Sequence, residues 1–320
     1  MSDLSLDLYR KAYLIRKSEE EICKYYPEDG MKTPMHMSMG EEAIAVGICH
    51  ALKQEDQVFC SYRSHALYLA KTENIDNFFA EMYGKSTSLQ KGKGGSMHLC
   101  EPALGFMGAS AIVASQIPVA VGSAFANKIL KNGKIVAVFF GDGAVDEGVF
   151  WESLNVACLM ELPILFVCED NDFAVHTPPS VRHGYASITE IVSNFNCNVF
   201  QDETTDVEVI YKLTQGAIKK MKKNQQPCFF HLKYYRYLEH VGINEDFEAG
   251  YRSRNEFEKW LKKDPIRLQR DRLIELGLED EVQAIEKEID SKVNDSIVAT
   301  KKAPFADKDE LYRGVLAEAC

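Results

Sequence analysis

Between Leu8 and Tyr26, apolar residues (Leu8, Ala12, Ile15, Ile22 and Tyr26) recur at helical spacing among charged ones. That rhythm predicts an amphipathic helix stopped by Pro27 and Gly30. The middle of the chain has a different texture. Residues 135–140 (IVAVFF) and 164–168 (ILFVC) are short runs of β-branched and aromatic residues, each entered through a breaker, Gly133 or Pro163, and followed by a polar loop. Runs without alternation predict strands buried on both faces. Between them, residues 147–161 place Phe150, Leu154, Ala157 and Cys158 on one helical face. Strand, helix and strand in that order predict a right-handed βαβ unit of a parallel sheet. Residues 228–232 (CFFHL), entered through Pro227, predict a further strand, and beyond Tyr251 only helical periodicity remains. There Leu278, Val282, Ile285, Ile289 and Val293 form a stripe after a helix stop at Gly277. The expected architecture is an α/β fold, a mainly parallel sheet with helices on both faces. Residues 1–250 form the ligand-binding domain, including the N-terminal helix, and residues 251–320 are a helical extension of it.

Composition narrows the class. With 46% hydrophobic and 27% charged residues in 320, the chain has enough apolar surface for a large core and needs neither disulfides nor disorder to explain it. Its 37 Lys and Arg against 48 Asp and Glu give a formal charge of −11, which argues against broad binding to nucleic acid or anionic membranes. Lys219, Lys220, Lys222 and Lys223 read as a solvated helix end. Nine cysteines, the last of them Cys320, are scattered without a CxxC pair and read as thiols of a reducing compartment. Asp3 and Asp7 argue against an organellar presequence, and no run approaches the ~18 apolar residues of a membrane span. A cytoplasmic protein is expected.

In an open parallel sheet, ligands bind outside the carboxyl ends of the strands. The loop after IVAVFF is Gly141-Asp142-Gly143-Ala144, whose glycines let backbone N–H groups approach an anion at a helix N-terminus. A bare carboxylate there would repel a phosphate, so Asp142 reads as the ligand of a divalent cation placed between them. Asn171 follows Asp142 by 171 − 142 = 29 residues, at the tip of the next strand. Its amide oxygen adds a hard ligand without charge, and the carbonyl of Phe173 offers a third.

Gly141-Asp142-Gly143 followed at this distance by Asn171 resembles the thiamine diphosphate motif, in which Mg2+ anchors the diphosphate. The first asparagine of the usual pair is replaced by Asp170. Further segments narrow the resemblance to the α subunit of the first component of 2-oxo acid dehydrogenase complexes, of pyruvate and acetoin type. Residues 33–43 (TPMHMSMGEEA) are similar to the segment of an early active-site histidine, His36. Residues 61–65 (SYRSH) resemble the segment whose Tyr62 and Arg63 would hold the diphosphate. Residues 92–98 (GKGGSMH) look like a signature loop of pyruvate-type subunits, and residues 111–118, with Ala111 and Val113, match the stretch that cups the aminopyrimidine. Tyr235-Arg236-Tyr237 with His240 resembles the mobile active-site loop.

The resemblance implies an enzyme that cleaves a pyruvate-like 2-oxo acid or acetoin and passes the fragment to a lipoyl acceptor on an acyltransferase. Catalytic roles fall on His36 and His240, whose imidazoles suit proton exchange near neutrality. Cofactor contacts fall on Tyr62, Arg63, Ala111, Val113, Gly141, Asp142, Gly143, Ala144 and Asn171, and metal ligation on Asp142, Asn171 and Phe173. Enzymes of this kind with both cofactor-binding domains in one chain are much longer. A β subunit is therefore expected to bring the glutamate that activates the pyrimidine, in a heterotetramer of two α and two β chains. Two departures are visible: Ala111 replaces a frequent glycine, and Val241 stands where a regulatory serine would follow the histidine. The altered loop beyond His240 leaves open a decarboxylase or carboligase of a specialised pathway without lipoyl transfer.

Overall fold

The computed structural model describes residues 2–314; Cys320 lies outside them, and the other eight cysteines are free thiols. Six strands form one parallel sheet: β1 (Gln57–Ser61), β2 (Phe106–Ser110), β3 (Val136–Gly141), β4 (Ile164–Asp170), β5 (Asn198–Asp202) and β6 (Cys228–Lys233). Their order is β2-β1-β3-β4-β6-β5, all neighbours parallel. The three strands expected from the hydrophobic runs are β3, β4 and β6. β4 runs two residues further than expected, so that Glu169 and Asp170 belong to the strand. β1, β2 and β5 are additional.

Side chains alternate across this sheet although both faces are apolar. Val136, Val138 and Phe140 of β3 enter one core, and Ala137 and Phe139 the other. The first core is roofed by α5 (Gln116–Leu130), α6 (Gly148–Leu159) and the short α7 (Ile188–Val192). At its centre Phe150 is fully buried among Phe140, Phe166 and Phe229. Truncating such a ring typically costs about 3–5 kcal/mol.

The opposite face carries α1 (Ser2–Tyr25), α2 (Glu42–Ala51), α3 (His65–Thr72), α4 (Ile75–Met82) and α8 (Val207–Asn224). The C-terminal helices α9 (Arg254–Leu261), α10 (Pro265–Glu275) and α11 (Glu279–Lys302) complete the set. α10 begins where Asp264 caps the Arg267 amide and Pro265 occupies the first turn, and it ends before Gly277, whose φ of +76° suits a residue without Cβ. α11 turns its Val282, Ile289 and Val293 stripe inward, and Tyr9 of α1 donates to Glu286 at 2.6 Å. The tail thus packs back on the N-terminal helix. No helix among the described residues is long and apolar enough to cross a membrane.

Candidate cofactor and active site

β3 and β4 stay in register from Val136 opposite Ile164 to Gly141 opposite Glu169. That pairing puts the loops after both strands side by side at the carboxyl end of the sheet. The chain leaves β3 through a 3-10 turn over Asp142–Asp146, with Gly143 facing the neighbouring loop. A Cβ on Gly143 would come 2.9 Å from the Ala174 Cβ, so the two loops close only because that Cβ is missing. Between them opens a cavity of about 200 Å³. Asp142, Asn171, Phe173, Tyr62, Arg63 and His240 all line it, as do Gly141, Gly143, Ala144 and Val113. Ala111, directly after β2, is not among its lining residues, and neither is His36.

The amide of Asn171 has a defined orientation. Its Nδ2 donates to the Tyr234 hydroxyl at 3.2 Å, while its Oδ1 is buried and accepts nothing. A buried acceptor without a partner costs free energy unless a ligand completes it. Beside it, burial pushes the Asp142 carboxyl up to about 7, helped by the charge of Asp170 and opposed by Arg182. The Arg182 guanidinium bonds both Asp142 and Asp146, and its Nε donates to the Thr177 carbonyl at 3.0 Å. A cation therefore already stands at this carboxylate. Among the described residues no cluster of three or more His, Cys, Asp or Glu side chains could hold a metal. The donor set that fits here is mixed, one carboxylate with carboxamide and main-chain oxygens, and such hard oxygens suit Mg2+.

Asp170, against the effect of its burial, is held below the usual carboxylate range by His231 at 2.7 Å and the Asp172 amide at 2.8 Å. It turns away from the cavity to tie β4 to β6. The loop it starts is strained: Asp172 and Val175 have φ of +66° and +58°, and the β-branched Val175 rarely adopts such values.

The two expected histidines come together from distant segments. Gly242 N donates to Met35 O at 2.8 Å and Tyr237 N to Met39 O at 3.2 Å, so the chain after β6 runs along residues 35–39. Gly40, at φ +105°, permits this contact, because a Cβ there would fall 2.0 Å from the Tyr235 carbonyl. The His36 ring consequently lies 4.5 Å from Tyr62 and 5.3 Å from His240, centroid to centroid. Arg63 is buried, donating from Nη1 to Met37 O at 2.6 Å and from Nη2 to His240 O at 3.2 Å. Burial and the nearby Arg63 push His36 down to about 2; burial with Arg63 and Arg236 pushes His240 down to about 3. Both are neutral imidazoles at neutral pH.

Several groups in and around this site are not among the residues expected from the sequence. Arg182 sits in an aperiodic loop, 40 residues after Asp142. Glu41 and Glu169 face the cavity fully buried; burial pushes Glu41 up to about 8 and Glu169 well above the carboxylate range. His65 stands between Glu19 (2.8 Å) and the Ser96 hydroxyl (2.7 Å), the order of a nucleophile triad. All three residues are 0% exposed, which makes the array a structural tie between α1, α3 and residues 92–98.

A crevice at the carboxyl tips of a doubly wound sheet, with a carboxylate, a free carboxamide oxygen and an arginine-histidine cluster, has the chemistry of a site for an anionic organic ligand. The chain belongs to the dehydrogenase E1 component family, whose profile matches residues 10–309. It is 33% identical over 314 residues to the pyruvate dehydrogenase E1 component subunit alpha of Rhizobium meliloti, covering 97% of this chain and 89% of that protein. It is 31% identical to the protein of the same name from Porphyra purpurea, over 98% of this chain and 93% of the relative. The alpha subunit of acetoin:2,6-dichlorophenolindophenol oxidoreductase from Bacillus subtilis is 29% identical, over 97% and 93% respectively. Membership implies thiamine diphosphate as the cofactor, and kinship with alpha subunits implies a complementary subunit.

Proposed function

We propose that this chain is the α subunit of a thiamine diphosphate-dependent enzyme that cleaves a 2-oxo acid of pyruvate type, or acetoin, and passes the fragment to a lipoyl acceptor. The observation that carries this reading is the pairing of Asp142 with the free, buried Oδ1 of Asn171 at adjacent strand tips. With the Phe173 carbonyl these oxygens would hold Mg2+. Tyr62, Arg63 and the turn over residues 141–144 would hold the diphosphate, and Val113 with Ala111 would meet the pyrimidine side. When bound, the cofactor supplies a thiazolium carbon able to add to a carbonyl and to store the electron pair released by cleavage. His36 and His240, kept neutral, offer hydrogen bonds without placing further charge beside Arg63. The glutamate that activates the pyrimidine is assigned to a β subunit, in a heterotetramer of two α and two β chains.

An exposed apolar face supports a place for that subunit. α5 and α6 lie side by side and leave Val119, Phe125, Ile129, Val156 and Leu159 in water. This apolar surface continues into exposed Ile112 and Val113 at the rim of the cavity, so a chain seated on it would close the crevice.

A second reading, cleavage without lipoyl transfer, draws on the turn after His240. There Glu239 accepts from the Asn244 backbone and side-chain N–H groups, both at 3.0 Å, and Val241 is exposed. Reconstitution with the β chain, Mg2+ and candidate oxo acids, measured as carbon dioxide release with and without a lipoyl domain, separates the two. Calorimetry tests the site itself: Asp142→Ala should weaken Mg2+-dependent cofactor binding about 100-fold. Binding as tight as the parent's would sink the assignment.

A further inference from the structure

His240 has two guanidinium groups on one ring nitrogen. Arg236 Nη1 lies 3.2 Å from its Nδ1, and Arg63 Nη2 lies 3.5 Å from the same atom. A guanidinium has N–H groups and no lone pair to offer, and it does not deprotonate in proteins. Nδ1 must therefore accept. A neutral imidazole that accepts at Nδ1 carries its one proton on Nε2.

We infer that Arg236 is a positioning residue that, with Arg63, fixes His240 as the neutral Nε2–H tautomer, so that the ring meets the reacting groups as a hydrogen-bond donor and never as a base. The surroundings agree from every side. Arg63 arrives from the loop after β1 and Arg236 from the segment after β6. His36 and Tyr62 pack against the ring in T-shaped arrangements, with centroids at 5.3 and 5.7 Å. His176, from the loop after β4, adds positive influence. Among the described residues no carboxylate bonds the His240 ring: Glu41 and Glu169, which act on Arg63, are buried and pushed up toward their neutral acids, and Asp246, 3.6 Å from Arg236, is bound by Arg252 and the Tyr251 hydroxyl. A second ring proton would create a third cation facing two others, with its Nδ1–H aimed at their N–H groups. Arg236 is itself nearly inaccessible, at 2% exposure, with Nη2 bonded to Tyr251. It acts through His240 rather than on substrate.

For the reaction, this assignment rests on the reading proposed above and makes it more specific. His240 lines the cavity. From there its Nε2–H donates to an oxygen or sulfur that gains negative charge, and the histidine needs no protonation step to do so. Activity should accordingly show no acidic limb from this residue.

The tautomer is directly measurable. The chain is labelled with ring-15N histidine, assembled with unlabelled β subunit, and examined by magic-angle-spinning NMR, with His240 identified by difference against His240→Asn. The expected signature is one protonated nitrogen, Nε2, and one bare nitrogen, Nδ1, unchanged from pH 8 to pH 6. A proton on Nδ1, or on both nitrogens at pH 6, overturns the inference in the parent protein without any substitution. Arg236→Met should then give mixed tautomers, a new acidic limb in the kcat profile and about a tenfold lower kcat. Arg236→Lys, which restores a donor and a charge, should reverse all three. An Arg236→Met spectrum and profile identical to the parent's would remove Arg236 from the role. Thiamine diphosphate binding, measured separately by calorimetry, reports on the functional reading: its absence would refute that reading and leave the tautomer result standing.

Discussion

Arg182 sets a competition at Asp142. Its guanidinium is only 10% exposed and bonds both Asp142 and Asp146, so the carboxylate that a metal needs is already neutralised. Two cations cannot share one carboxylate oxygen at close range in a buried setting without strong repulsion. The arginine meets Asp142 through Oδ2 alone, so on the proposed reading a divalent ion bound at Oδ1 would work against a guanidinium on the same carboxylate. Arg182→Gln keeps a polar side chain in the loop and removes the competitor. Titration of the full chain with Mn2+ by calorimetry should then show affinity about tenfold tighter than the parent's, with a larger gain at low ionic strength. Equal or weaker affinity would mean that the guanidinium helps to hold the ligand. Asp142 and Asn171 were legible in the sequence because a βαβ unit imposes a repeat length that returns the chain to the same sheet end. Arg182 was not, because nothing local marks the place to which a flexible side chain reaches back from an aperiodic loop.

At the level of elements, the loop that carries His240 is shaped by one buried side chain. Arg252 donates from Nη2 to Leu238 O at 2.8 Å, from Nη1 to Arg236 O, and from Nε to Asp246 at 2.7 Å. One guanidinium thus staples the chain leaving β6 to the segment that precedes α9. Arg252→Met would take the donor from buried carbonyls and leave Asp246 only the Tyr251 hydroxyl, a loss of about 3 kcal/mol concentrated in this loop. Proteolysis within residues 238–250 should accelerate at least tenfold while the sheet stays intact, and cutting at the parental rate would show that the turn is held elsewhere. The legibility of elements follows burial. β3, β4 and β6 were visible because strands covered on both faces need continuous apolar runs. β1 (QVFCS), β2 (FMGAS) and β5 (NVFQD) are five residues each, and polar or small residues interrupt their apolar character. β2 and β5 form the sheet edges, where one side lacks a neighbour, so sheet pairing rather than local pattern defines them.

The whole molecule combines a net charge of −11 with a charge-poor apolar surface on α5 and α6. A net charge of this size disfavours non-specific association, whereas an exposed apolar surface marks a place for a specific partner. On the proposed reading that partner is the β subunit, because the surface reaches the cavity at Val113, where the second half of the cofactor site would stand. Gly122, exposed between Val119 and Phe125, carries no side chain to hold a neighbouring backbone away. A charge placed here costs the isolated chain almost nothing, because Val119 is already 53% exposed, but in a desolvated interface it would remain unpaired at a cost of several kcal/mol. Val119→Asp should therefore melt within about 2 °C of the parent when alone. Mixed with the β chain, it should elute from size exclusion as separate subunits at concentrations where the parent and the β chain elute together. Retention of parental assembly by Val119→Asp together with Val156→Glu would show that the β subunit sits elsewhere on the molecule, and that the cavity is closed by some other surface.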